Sequence, residues 1–211
     1  MKPMVCGIRA TTLTPFCYHS LAVQSGTATL PSFISDKAVM FSLGATLGLM
    51  NRSVALPQKD YATHLRALPW RASVFSLEGD PRLLPPLARR LNLDGEAGFR
   101  HKLRDSVDSG NLKDFFYTQE VPHGQQFTGA LFGYNPFAVH KRDYLVIRIG
   151  LHRNGLLKLE PAEVEQVCLN VWTAGILFGR ELPVARYVLH SLQLSSFMPV
   201  TMALDEVMQW N

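Results

Sequence analysis

Apolar residues recur at helical spacing through Thr29–Met50, TLPSFISDKAVMFSLGATLGLM. Val39, Leu43, Leu47 and Met50 share one face, widened by Met40, Phe41 and Leu49, which predicts a buried helix over 36–50. Ser35 is placed to cap it, and Asp36 stands where the helix dipole favours an anion. Ile34 and Val39 flank the cap as a hydrophobic staple. Gly44 and Gly48 each lower helix propensity by about 1 kcal/mol relative to Ala. That cost predicts close backbone approach along their side of the helix.

A loose alternation over Met4–Leu13 predicts a first strand, ended by Thr14-Pro15. Arg71–Leu77 reads as a short strand, and Leu87–Leu91 as a short helical stretch after Pro85 and Pro86. Segment 94–126 is the most polar part of the chain and predicts an excursion from the core. Tyr144–Leu151, YLVIRIGL, alternates cleanly as a strand, and Arg153-Asn154-Gly155 turns it back into Leu156–Leu159. Glu160-Pro161 then opens a predicted helix whose buried face is Val164, Val167, Cys168, Val171 and Trp172, ended by Gly175 or Gly179. Leu182–Met198 reads as a final strand or helix pair, ending at Pro199. A strand, a loop and a buried helix make the first half of a βαβ or βαββ unit, an α+β pattern.

Composition narrows the class. Across 211 residues, 47% are apolar and 18% charged, which is globular, poor in charge, and able to leave apolar surface for a partner. Cys6, Cys17 and Cys168 form no even framework and no C-x-x-C pair, so buried free thiols in a cytoplasmic setting are expected. The N-terminus lacks the pattern of a signal peptide, and no apolar run reaches the roughly 18 residues of a membrane span.

Charge adds a location. Between His140 and Lys158 stand Lys141, Arg142, Arg148, Arg153 and Lys158 against the single acid Asp143. This local excess of +4 equals that of the whole chain. His140 and His152 add donors. Cations concentrated beside strands suit a phosphate backbone, and they also suit a solvated hairpin. Segment 94–126 carries Arg100, Lys102, Arg104 and Lys113 with nearly balancing acids, and its Phe99, Phe115, Phe116 and Tyr117 could stack on bases or form a small core of their own.

Nucleotide-hydrolase, dinucleotide-binding, α/β-hydrolase and zinc-protease motifs are all absent, and no cofactor is expected. A metal-free ribonuclease needs only a His, Tyr or Lys near a 2′-hydroxyl, so Tyr18, His19, His140 and Lys141 are the residues to test for that role.

The run Leu30-Pro31-Ser32, Ser35-Asp36-Lys37-Ala38 and Leu43-Gly44-Ala45-Thr46-Leu47-Gly48 resembles a signature of the CRISPR-associated RAMP proteins. The resemblance is to the subunit that caps the crRNA 5′ handle in Cascade-type complexes. Ile147-Arg148-Ile149-Gly150, a turn and Leu156–Leu159 look like a strand pair of its smaller type I-D version, with the type IV version a close rival. About a quarter of the chain carries the match, and the glycine-rich loop typical of the family has only a loose substitute in 123–133. The resemblance implies a ferredoxin-like (RRM-like) antiparallel sheet with packed helices, in a single domain over 1–211 with 94–126 as a thumb. It implies a non-catalytic role: holding the crRNA 5′ handle and docking the large and backbone subunits. Ser32, Ser35 and Lys37 carry over as handle contacts. Tyr18, His19, Arg100, Lys102, Arg104, Lys141, Arg142, Arg148, His152 and Arg153 join them as expected RNA-binding residues from the charge and side-chain reading. Two rival readings stay open: an endoribonuclease on the same fold, and a protein–protein scaffold without nucleic acid.

Overall fold

The computed structural model describes residues 3–18, 20–23, 26–49, 61–90, 115–149 and 155–210. The first part runs β1 (Val5–Thr12), β2 (Ser20–Val23), β3 (Gly26–Thr29), β4 (Phe33–Ile34), α1 (Asp36–Thr46), α2 (Tyr61–Ala67), β5 (Arg71–Ala72) and β6 (Phe75–Leu77). The middle runs β7 (Leu87–Arg90), β8 (Phe115–Gln119), β9 (Gln126–Phe132), α3 (Pro136–His140), β10 (Leu145–Ile149) and β11 (Gly155–Pro161). The last part runs β12 (Gln166–Val167), α4 (Val171–Phe178), β13 (Arg186–Leu189), β14 (Leu192–Leu194), β15 (Met198–Pro199) and α5 (Val200–Val207).

The main sheet is antiparallel, in the order β10-β11-β1-β9-β6-β4, with β5 also on β9. Strand alternation divides its two faces. Cys6, Ile8 and Ala10 of β1, Phe127 and Leu131 of β9, Ile147 and Ile149 of β10, and Leu157 and Leu159 of β11 point inward. There they meet Val39, Met40 and Leu43 of α1 and Leu65 of α2. Each fully buried Ile, Leu, Val, Phe or Met among them contributes about 1.5–3 kcal/mol, so this face is the main core. The predicted alternation of Tyr144–Leu151 is seen in β10, where Leu145, Ile147 and Ile149 turn in and Val146 and Arg148 turn out.

Among the described residues, the opposite face is packed at one end. Ala130 and Phe132 of β9 pack with Val167, Leu169, Ala174, Ala203, Val207 and Trp210, and Val5 and Val164 join them. Arg180 clamps α5 to this cluster with a two-pronged bond to Glu206, Nε to Oε1 and a terminal nitrogen to Oε2, each 3.0 Å. The adjacent guanidinium holds the Glu206 carboxyl below the usual carboxylate range. A smaller sheet, β2-β3-β8-β7, includes Phe115–Gln119, which lies in the predicted excursion.

α1 starts as its sequence dictates. Ser35 is the N-cap, its Oγ accepting from Lys37 N at 3.3 Å, and the staple residues Ile34 and Val39 are both fully buried. It ends earlier than periodicity predicts, at Thr46. Gly48 takes φ +71°, and Gly48 N and Leu49 N donate to Ala45 O and Gly44 O, a Schellman stop. A Cβ on Gly48 would meet nothing within 4 Å, so this glycine serves the turn, not close packing. Met50 lies outside the described residues.

Three other expectations change. Leu87–Arg90 is a strand, not a helix: Pro85 and Pro86 favour extended backbone, and β8 offers a partner, with Leu87 opposite Thr118. Pro161 does not open a helix. β11 runs through it, Ala162 N bonds Gly7 O at 3.0 Å, and Val167 and Cys168 are extended and buried. The helix begins only at Val171, and Gly179, at φ +62°, ends it. Past Pro199 the chain forms α5 where no element was predicted.

Candidate nucleic-acid interface

Strand register sets out the open end of the outer face in rows. β10 opposes β11 with Val146 opposite Lys158 and Arg148 opposite Leu156. β11 opposes β1 with Lys158 opposite Thr11 and Glu160 opposite Arg9. β1 opposes β9 with Thr11 opposite Gln126 and Arg9 opposite Thr128. One row therefore reads Val146, Lys158, Thr11, Gln126. The next reads Glu160, Arg9, Thr128, and Tyr144 stands just before β10 with its ring beside Lys158. Arg148, Leu156 and Leu13 lie beyond the first, Leu13 N bonding Leu156 O at 2.8 Å. Tyr144 is 54% exposed and Val146 37%.

Charge on this face is mixed and partly internally paired. Lys158 Nζ bonds Glu160 Oε1 at 2.7 Å and lies 5.1 Å from the centre of the Tyr144 ring. Arg9 Nε stands 3.7 Å from Glu78 Oε2. Arg148 is exposed and has no salt bridge or hydrogen bond to an acid among the described residues. Lys141, held at φ +50° as the C-cap of α3, and Arg142 are exposed just before β10. Exposed pairs of this kind contribute little to stability, so they yield readily to a stronger anion. Phosphate offers several acceptor oxygens to Arg148 and to any lysine that lets go of its carboxylate.

The entrance of α1 is a different environment from the one its residues predict. Ser35 is 0% exposed and donates to Asp36 Oδ1 at 2.8 Å while capping the helix. Asp36, 1% exposed, also accepts from Asn170 Nδ2 at 2.8 Å. Lys37 Nζ donates to Ser191 O at 3.2 Å and sits 3.8 Å over the Trp172 ring. Burial pushes the Lys37 amine below its ordinary range, against the opposite pull of Asp36. The Tyr18 hydroxyl lies beside Ser35, and burial first, then Asp36, raises its pKa. Ser32 is half-buried, its carbonyl accepting from Leu77 N at 2.9 Å. This cluster fastens α1 to the β13–β14 hairpin and to α4. Of the two residues expected as handle contacts here, Ser35 is buried, and the half-buried Lys37 has its amine on Ser191 O and the Trp172 ring.

His19, Arg100, Lys102, Arg104, His152 and Arg153 lie outside the described residues. Of the residues named for a ribonuclease, Tyr18 has its hydroxyl in the α1 cluster, and a His140 ring nitrogen hydrogen-bonds the Tyr134 hydroxyl at 2.9 Å. Among the described residues, no group of His, Cys, Asp and Glu could hold a metal ion. No helix among them is long and apolar enough to cross a membrane. Arg9, Tyr144 and Lys158 were not among the expected site residues. Lys158 belonged to the basic cluster, but Arg9 joins it only through the long-range pairing of β1 with β11.

No family model matches the sequence, and no curated protein does. Among solved structures, the chain is similar to one in a cryo-EM structure of the Type III-B Cmr-beta bound to cognate target RNA and AMPPnP. The TM-score is 0.43 at 16% identity, covering 76% of this chain. This chain spans 66% of the length of that one. Likeness at this level assigns neither family nor function.

Proposed function

We propose that the chain is a non-catalytic RNA-binding subunit of a crRNA-guided CRISPR interference complex. It holds the 5′ handle of the crRNA and docks the large and backbone subunits, in the manner of the type I-D or type IV version, in the cytoplasm. The observation that carries this reading is the exposed end of the main sheet's outer face among the described residues, which presents Tyr144 with Lys158 beside its ring and Arg148 and Arg9 on the same face. Sheet faces with exposed aromatics and cations suit unpaired nucleic acid, because rings stack on bases while cations neutralise phosphates.

The core supports a ferredoxin-like assignment through its order. Counting β1, β6, β9 and β11 as the four strands of a βαββαβ unit, their spatial sequence β11-β1-β9-β6 is 4-1-3-2, antiparallel throughout. Segment 94–126 remains the proposed thumb of a single domain. Contact of the RNA with α1 is dropped from the proposal for Ser35 and Lys37, and the sheet face takes its place. Nothing in the Tyr134–His140 pair favours cleavage over a surface hydrogen bond, so the subunit is proposed as a holder of RNA.

The test is co-expression with a precursor CRISPR RNA, purification, and a denaturing gel of the extracted nucleic acid. A discrete RNA that stays with the protein, and a precursor left uncut by the pure protein, are expected. Protein with the absorbance of bare polypeptide would favour the scaffold reading. Metal-independent cleavage would favour the endoribonuclease.

A further inference from the structure

We infer that Tyr144 is a stacking platform for an unpaired base, so the sheet face takes single-stranded RNA and not a duplex. The inference rests on the proposed RNA-binding role and goes beyond it by naming the residue that takes a base.

Tyr144 is an aromatic residue at the surface whose ring contact among the described residues is the Lys158 amine. It precedes the edge strand β10 and is 54% exposed, whereas Phe75 of β6 and Phe127 and Phe132 of β9 are fully buried. Lys158 Nζ lies 5.1 Å from its ring centre and is itself tied to Glu160, which defines the ring's orientation. Val146, 37% exposed, stands two residues along on the same side and supplies apolar surface beside the ring. Arg148 stands two residues further, about 13 Å from Tyr144 along an extended strand. A strand of RNA lying along β10 could therefore place one base on Tyr144 and a phosphate a short way on at Arg148.

Chemistry separates the two forms of RNA. In a duplex the π-faces of the bases are occupied by their neighbours, and only phosphates and groove edges are offered. Arg148 could bind such a phosphate, but Tyr144 would gain nothing. In a single strand each base has a free face, and stacking on an aromatic side chain is tolerant of sequence. Charge complementarity fits the same occupant: Arg148, Lys141 and Arg142 are exposed around this edge.

The experiment is a fluorescence-anisotropy titration of the full chain. Its probe is a short labelled single-stranded RNA of mixed sequence, alone or annealed to its complement. Tyr144→Ala should weaken single-strand binding by about 5- to 150-fold, the range for loss of one stacked base. Tyr144→Phe should keep most of it, and thermal unfolding of both variants should match the parent. The duplex should bind more weakly than the single strand and be indifferent to Tyr144→Ala. Equal affinity for both forms, or a Tyr144→Ala variant with parental affinity that still responds to Arg148→Glu, would overturn the stacking inference and leave the RNA-binding role standing. A parent chain that binds neither RNA would overturn both.

Discussion

Gly7→Ala is expected to destabilise the fold by about 3 kcal/mol, at the upper end for a small-to-large change. Gly7 lies on β1 opposite Ala130 and faces the covered half of the outer surface. A Cβ there would stand 2.3 Å from Ala162 O and 3.1 Å from Val164 Cγ2. The nearer atom is backbone, so no rotamer change relieves the clash. Nor can Ala162 drift away freely, because its N–H bonds Gly7 O at 3.0 Å. The segment that carries Ala162 also leads into the cluster of Val167, Leu169, Val207 and Trp210, so pushing it outward loosens the whole second core. Gly175→Ala is the control. Its Cβ would make an ordinary contact with Arg180 O at 3.7 Å inside α4, where Ala favours helix by about 1 kcal/mol. Urea unfolding of the two variants should move in opposite directions. Parental stability in Gly7→Ala would mean that the 162–164 segment does not sit on β1 as described.

Charge reversal at Arg148 and Lys158 together is expected to lower RNA affinity at low salt by roughly 100-fold, with little change in folding. Each lost charged hydrogen bond to phosphate is worth about 1.5–3 kcal/mol, so two lost contacts reach that figure even with partial compensation. Lys158→Glu additionally sets a second carboxylate beside Glu160, two residues along the same strand face. The salt dependence should flatten as well, because fewer phosphates are neutralised and fewer counterions released. Stability should stay within about 1 kcal/mol, since the Lys158–Glu160 pair has side chains 33% and 39% exposed and exposed pairs contribute little. Lys37→Met offers the contrast. Its amine bonds Ser191 O and sits over Trp172, so it should cost stability and leave RNA affinity alone.

The legible parts of the fold were those written locally. The cap at Ser35, the staple of Ile34 and Val39, and the alternation of β10 need only near neighbours, and they stand where the sequence puts them. Leu87–Arg90 went the other way because a partner strand nearly thirty residues on decides its state. Likewise Gly48 looked like a packing residue inside a periodic run, but φ +71° shows a stop. The candidate site divides along the same line. Arg148 and the neighbouring cations were visible as a cluster, since one hairpin carries them. Arg9 was not, because only the register of β1 against β11 sets it opposite Glu160. Ser35 and Lys37 looked available because a helix entrance is polar. The β13–β14 hairpin that covers them is more than 140 residues away in the chain.

Ultraviolet crosslinking of the RNA-bound protein, followed by mass spectrometry of the adducted peptides, tests the sheet face as the RNA surface most directly. Nucleotide adducts on the peptides that contain Tyr144–Arg148 and Leu156–Glu160 are the predicted result. Adducts confined to the peptide of Ser32–Lys37, with the β10–β11 strands unmodified, would contradict it.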